Sequence, residues 1–283
     1  MEPAVKIVVA VLAHNEERRI GACLASLPLG DPTVSVHVVV NGSRDRTAAI
    51  ARERRVIVHD WPEGGKARSW NRFLFDTPGI EGDVFVFVDG DAEVTPGSIT
   101  ALAVTLAADS AINAAAGMPR NGRRAEQYRA EMTASRGLFG DLYALSGTFV
   151  AKLRASGVRL PADLIGDDSL IGALAKTDLA DEGGWRDARI EPCAGAGFLC
   201  EPADLGSPRS LHMQYRRMIN YSVRHFQNRI VTAVMRGPGP TALPERMADL
   251  YPEWLGRFRP RRHPVWWWFD RQALARMRAS AAA

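Results

Sequence analysis

The 283-residue chain has no run of roughly 18 apolar residues, so no segment is expected to cross a bilayer. Its first residues, with Glu2 ahead of a strand-like run, lack the basic start and cleavage site of a signal peptide. The expectation is a soluble protein, attached at most to a membrane surface. Cysteine is scarce: Cys23, Cys193 and Cys200 are odd in number and not closely paired. That argues against a disulfide framework and suits a reducing, cytoplasmic setting. Lysine is scarcer still, since Lys6, Lys66, Lys152 and Lys176 are the only four among 36 basic residues. The net charge is +4, but no basic stripe interleaved with aromatics runs through the main body, so no nucleic-acid partner is expected. Two nucleotide signatures are also missing. The first strand-like run leads into "AHNEERRIG" rather than a glycine-rich turn, and there is no Walker motif. A nicotinamide enzyme and a P-loop NTPase are therefore disfavoured. No repeat or low-complexity tract occurs.

What is present is alternation. Strand-like runs at 6–13, 34–40, 56–59, 84–88 and 112–118 alternate with helical patterns at 16–27, 47–54, 66–75 and 96–107. This rhythm predicts an α/β fold with a doubly wound sheet flanked by helices. Residues 119–143 read as a polar, partly exposed helical segment, and 145–151 as a strand. A helix at 165–174 is entered through "GDD", strands follow at 188–192 and 195–200, and a long helix runs from Ser207 to about Met235. "RGPGPTALP" then breaks the chain before a basic aromatic tail.

One stretch carries the chemistry. "VFVFVDGDAEV" (84–94) is apolar enough for a strand covered on both faces, yet it ends in two aspartates. Asp89 and Asp91 stand where open α/β sheets place their ligands, and in extended backbone residues two apart face the same way. Gly90 between them would let a ligand approach the backbone. Two converging carboxylates repel unless a cation joins them. The plain alternative is one aspartate capping the next helix and one in a turn.

Five pieces occur in order: "LAHNEE" (12–17), "VVNGSRDRT" (39–47), "GGKARSWN" (64–71), "VDGDAE" (88–93) and "LIGDDSLIGAL" (164–174). Together, over roughly residues 5–230, they resemble the family 2 glycosyltransferases of GT-A fold. The resemblance implies a mixed sheet and a metal-dependent transfer of a sugar from a nucleoside-diphosphate donor to a hydroxyl acceptor, with inversion. A nucleotide-sugar-binding half (1–118), an acceptor-binding and catalytic half (119–235) and a C-terminal helical, aromatic arm (236–283) would follow. Asp89 and Asp91 would meet ribose and a Mg²⁺ or Mn²⁺ ion, hard cations that bridge carboxylates to phosphates. Leu12, Ala13, Asn15, Glu16, Asn41, Lys66 and Gly90 would complete the donor site. Helix capping by Asn15, with Glu16 in the first turn, is the plain alternative for that pair. Asp168 would be the base, supported by Asp167, unless the two are only favourable acids at a helix start.

The match has departures. Val40 and Asn41 replace the family's aspartate pair, and Leu12 its proline, so UDP-sugar is favoured while GDP- and CDP-linked donors stay open. "QYRRM" (214–218) resembles Q-x-x-R-W with Met218 for tryptophan, placing Gln214 and Arg217 on the acceptor or diphosphate side. His212 is a candidate extra metal ligand. A sugar nucleotidyltransferase or a non-catalytic nucleotide-sugar-binding scaffold are the rival readings.

The tail, 256–278, carries seven arginines, one acid and the run Trp266-Trp267-Trp268-Phe269. Packing on the core or on a dimer partner is the first expectation. Contact with anionic lipid at the inner membrane face, suiting a lipid-linked acceptor, is the second.

Overall fold

Alternation along the first strand sets the architecture. In β1 (Ile7–Ala13) every residue is buried, and successive side chains leave opposite faces of the pleat. Val8, Ala10 and Leu12 join one apolar cluster, while Ile7, Val9, Val11 and Ala13 join a second on the far face. β4 (Val84–Asp89) divides likewise, Phe85 and Phe87 to the first cluster and Val84, Val86 and Val88 to the second. A strand covered on both faces keeps no polar side, which is why both read as continuous apolar runs. The computed structural model describes residues 4–122, 124–200 and 208–282.

β1 lies between β2 (Val34–Asn41) and β4, parallel to both, and β3 (Ile57–Trp61) extends that edge parallel to β2. Beyond β4 the sheet changes direction. β7 (Leu142–Ser146) is antiparallel to β4 and to β6 (Ala114–Pro119). β6 runs parallel to β8 (Ile190–Cys200), and β5 (Ala92–Val94) closes the far edge antiparallel to β8. The order is β3-β2-β1-β4-β7-β6-β8-β5, one mixed sheet continuous across residue 118. Helices α1 (Ile20–Ala25) and α4 (Ser98–Ala107) cover the second cluster with Ile20, Leu24, Leu102 and Leu106. α3 (Lys66–Asn71), α6 (Gly147–Ser156), α7 (Asp167–Thr177) and α8 (Pro208–Arg236) cover the first through Trp70, Phe149, Leu170 and Phe226. α2 (Thr47–Arg52), α5 (Ala125–Ser135), α9 (Tyr251–Trp254) and α10 (Pro264–Ala281) complete the chain.

Three sequence expectations are corrected. Residues 145–151 are not a strand: β7 ends at Ser146 and α6 begins at Gly147. Thr148 and Val150 mimic a strand, but the Ser146 hydroxyl accepts from the Phe149 amide (3.2 Å) and caps a helix whose Phe149, Val150 and Leu153 are buried. The two strands expected at 188–192 and 195–200 are one, β8, whose ladder to β6 shifts register between Ala116 and Met118. The helix expected from residue 16 starts only at Ile20, because the chain first turns through 14–19. Ser207, the expected start of the long helix, lies outside the described residues.

The C-terminal arm is docked. Met247, Tyr251, Phe258, Ala273, Leu274 and Met277 all belong to the first cluster. Buried Gln227 ties α8 to it: its side-chain carbonyl accepts from Ile165 N (2.8 Å), and its amide donates to Asp163 O (3.1 Å) and the Tyr251 hydroxyl (2.8 Å). Asp270, fully buried on α10, accepts from Arg261 N (2.8 Å), Nε (2.9 Å) and Nη2 (2.6 Å). Burial alone would raise this carboxyl, but the Arg261 bonds outweigh it and hold it below the usual range.

Breaking that pair leaves Arg261 without its partner, so Asp270→Ala is expected to cost about 2–4 kcal/mol in urea unfolding. Because the folded carboxyl titrates below its unfolded value, the contribution is full above pH ~4 and fades as pH falls through the folded value. An Asp270→Ala midpoint equal to wild type at pH 7 would show that the arm docks without the pair.

Candidate active site

The C-terminal ends of β1, β2 and β4 bring the first four motifs together. Asp89 ends β4, and the chain turns through Gly90 and Asp91 into β5. Carboxylate oxygens of Asp89, Asp91 and Asp141 all lie within 4.8 Å of one another. The turn, rather than extended backbone, makes Asp89 and Asp91 converge. Gly90 is there for packing: its amide donates to Leu12 O (2.9 Å), and a Cβ would fall 2.8 Å from the Ala13 Cβ. Leu12 and Ala13 have buried side chains. Asn41 is also buried. Its amide donates to Ala13 O (3.1 Å) and its side-chain carbonyl accepts from Gly65 N (3.4 Å), fastening β1 to the loop before α3.

Asn15 has the left-handed φ of 57° and does not cap a helix. Its backbone N–H donates to Ser43 Oγ (2.9 Å) and its side-chain carbonyl accepts from Arg44 N (2.9 Å), stapling two loops. The Glu16 carboxylate pairs with Arg19 (2.9 Å), which reaches on to Asp91 (3.5 Å). Burial, reinforced by Asp91 and opposed by Arg19, raises Glu16 to about 7.

Lys66 opens α3 and joins this region to the fifth motif. Its ammonium is 2.6 Å from Asp89 Oδ1 and 3.8 Å from Asp167 Oδ2, and it donates to Gly140 O (3.4 Å). Apart from Lys66, neither of those buried carboxylate oxygens has a hydrogen-bond donor among the described residues, so the ammonium is their counter-charge. Burial alone would lower Lys66, but Asp167 and Asp89 outweigh it and hold the ammonium well above its ordinary value. Burial pushes Asp89 up against the pull of Lys66, with Asp141 and Asp91 adding to the rise. Burial and then the Asp91 charge raise Asp141 to about 6. Burial likewise raises Asp167, Lys66 opposing and Asp168 adding. The Cys200 thiol lies 3.5 Å from Asp141 Oδ1 and is pushed up by burial and by Asp141.

Asp167 and Asp168 occupy the first turn of α7, entered through Gly166 at φ 86°. Arg224 of α8 holds Asp168, its Nη2 lying 3.0 Å from Oδ1 and 3.1 Å from Oδ2, and also donates to Ser169 Oγ (2.5 Å). Gly140 leaves room between the two acidic groups: a Cβ there would stand 3.1 Å from Lys66 Nζ and 3.9 Å from Asp168 Cγ. The result is two carboxylate groups on either side of one lysine. On α8, Gln214 is half-buried and Arg217 exposed, with the Arg217 charge acting to lower Asp141. His212 is exposed and does not belong to the carboxylate cluster. Asp141, Arg19 and Arg224 are the residues that sequence reading missed. Asp141 precedes β7, and nothing in the sequence tells that β7 pairs beside β4.

The family described as Glycosyl transferase family 2 matches residues 8–157, which contain four of the five motifs. Protein RfbJ of Shigella flexneri is 32% identical over 85 residues, or 30% of this chain; the match spans 64% of that relative, less than two thirds of its length. A mannosyltransferase from Pyrobaculum calidifontis, solved with GDP-Man and Mn²⁺, superposes with a TM-score of 0.59 at 23% identity, covering 100% of this chain and 76% of that one. Glucosyl-3-phosphoglycerate synthase from Mycobacterium tuberculosis, solved with Mn²⁺, UDP and glucosyl-3-phosphoglycerate, gives 0.53 at 23% identity, covering 78% and 80%. At these identities the likeness establishes the fold, the GT-A architecture that the order of motifs implied.

The raised acids make a stability prediction. Asp141 and Glu16 bind protons more tightly folded than unfolded, so their contribution is most favourable below pH ~4 and declines as pH rises toward 7. In EDTA at pH 8, Asp141→Asn should therefore be more stable than wild type by about 1–3 kcal/mol in urea unfolding. A variant destabilised to the same degree at pH 5 and pH 8 would remove the repulsion from the account.

Proposed function

The chain belongs to glycosyl transferase family 2, and from that premise we propose that it moves a sugar from a nucleoside-diphosphate donor to a hydroxyl acceptor with inversion, Asp168 serving as base. The observation that carries the reading is the pairing of two acidic groups across Lys66. A displacement at an anomeric carbon needs a charge-neutralising end for the leaving diphosphate and a basic end for the incoming hydroxyl. Asp89, Asp91 and Asp141 supply hard oxygen donors within 4.8 Å of one another, and the mutual repulsion of three carboxylates beside a single lysine fits a divalent cation. These three would hold Mg²⁺ or Mn²⁺, which when bound offsets charge on the departing diphosphate.

The rest falls to the protein's own side chains. Lys66 presents a fixed positive charge between the two ends. Asp168, oriented by Arg224, accepts the proton of the acceptor hydroxyl as its oxygen attacks the anomeric carbon. The bond from that carbon to the diphosphate breaks with its electron pair, and attack from the opposite face inverts the centre. Asp167, against Lys66, supports its neighbour's position. Asn15 and Glu16 are assigned to the nucleoside, and Gln214 and Arg217 to the acceptor or diphosphate side. UDP-sugar is the first choice of donor, supported by the UDP bound to the mycobacterial neighbour. The GDP-Man bound to the archaeal one makes guanosine the competing base to test.

Asp168→Asn keeps the shape but loses the proton acceptor, and should lower turnover by about 10²-fold or more with UDP affinity unchanged. Near-normal turnover in that variant would move the base to Asp167 or elsewhere. In calorimetry, UDP should bind more tightly with Mn²⁺ than without, and Asp91→Ala should abolish the difference. Equal UDP affinity in every condition would contradict the donor site, whereas a preference for GDP would correct only the base.

A further inference from the structure

Large apolar side chains left exposed by the fold concentrate on two packed helices. Leu211 and Tyr215 of α8 are 55% and 40% exposed, and Val265, Trp267 and Trp268 of α10 are 51%, 43% and 51% exposed. The helices meet where Tyr215 packs on Phe269, ring centroids 5.6 Å apart. Leu211 and Val265 each stand four residues earlier, one turn up the same stripes. Arginine borders this apolar face: Arg216 and Arg217 are exposed on α8 next to Tyr215, and residues 208–236 hold no aspartate or glutamate. The one acid of α10, Asp270, is buried on Arg261. Beside the patch, a groove of about 470 Å³ is lined by Arg259, Arg271 and Arg278 with Phe258, Trp267 and Leu274. Arg271 stacks 4.7 Å over the Trp267 ring, so cation and aromatic project together.

We propose that this face docks on an anionic lipid bilayer. Leu211, Val265, Trp267 and Trp268 lie at the boundary between acyl chains and headgroups, and Arg259, Arg271 and Arg278 meet lipid phosphates. Among the described residues no helix is long and apolar enough to cross a membrane, so the contact is peripheral. The mixture of groups selects this occupant. A nucleic acid would pair with the arginines but leave Leu211 and Val265 in water. A second copy would set like-charged arginines face to face across a two-fold axis. The other side of α8 carries Arg224, which holds Asp168. Docking therefore brings the candidate base close to the bilayer, and, resting on the proposed transfer, this points to an acceptor hydroxyl presented at the membrane surface.

The test is co-sedimentation of the full chain with phosphatidylcholine vesicles, with and without phosphatidylglycerol. Binding should require the anionic lipid and weaken as salt rises. It should fall about tenfold or more in both Trp267→Ser/Trp268→Ser and Arg271→Gln/Arg278→Gln. Calorimetric UDP binding by each variant checks that it is folded. Should a variant fail that check, quenching of wild-type tryptophan emission by brominated acyl chains decides instead. No binding at low salt, or no quenching by brominated lipid, overturns the proposal. So do binding indifferent to the tryptophans, full displacement by inorganic phosphate and equal affinity for RNA. If vesicles bind but UDP does not, the transfer reading falls and the docking face stands.

Discussion

The ammonium of Lys66, 2.6 Å from Asp89 and 3.8 Å from Asp167, is the contact around which the site is arranged. Five aspartates, 89, 91, 141, 167 and 168, crowd the ends of three elements in partly dehydrated surroundings. Burial drives Asp89, Asp141 and Asp167 upward. One lysine does not balance that charge, but it divides it into two groups. The Asp89 group has an excess that suits a cation, and the Asp167–Asp168 group is secured by Arg224 on its far side. The division leaves two chemically different groups on either side of one lysine.

Packing elsewhere serves that arrangement. β4 can deliver Asp89 because its other residues are buried on both faces, which fixes the strand rigidly between β1 and β7. Gly90 lets β1 pass close by, since a side chain there would strike Ala13. Asn41 holds the loop that launches Lys66. Beside Asp168, the position of Arg224 depends on α8, and α8 is pinned by Gln227 and by the docked arm. The tail thus supports α8 from behind while presenting its own arginines outward.

Much of this was legible in the sequence because the relevant signals are local. Asp89 and Asp91 follow an apolar run that only a two-sided strand explains, and Asp167 and Asp168 open a helix behind a glycine. What was not legible depends on pairing between distant segments. Asp141 enters the cluster only because β7 lies antiparallel to β4, a neighbour about 55 residues away that no periodicity announces. Asn41, expected at the donor site, also fastens β1 to the loop before α3 through Ala13 and Gly65, bonds that no local pattern announces. The helix cap that was the plain alternative for Asn15 does not form, because Asn15 staples two loops. The strand expected at 145–151 failed because apolar β-branched residues serve a helix equally well once Ser146 caps it.

The central claim is that a divalent cation rests on Asp89, Asp91 and Asp141 beside Lys66, with Asp168 in the acidic group on the other side of that lysine. The most direct measurement is a crystal structure with Mn²⁺ and UDP, the metal located by its anomalous scattering. The account predicts a single strong peak among those three carboxylates, touching the diphosphate. A peak elsewhere, or UDP ordered beside Lys66 with no metal against Asp91, would contradict it.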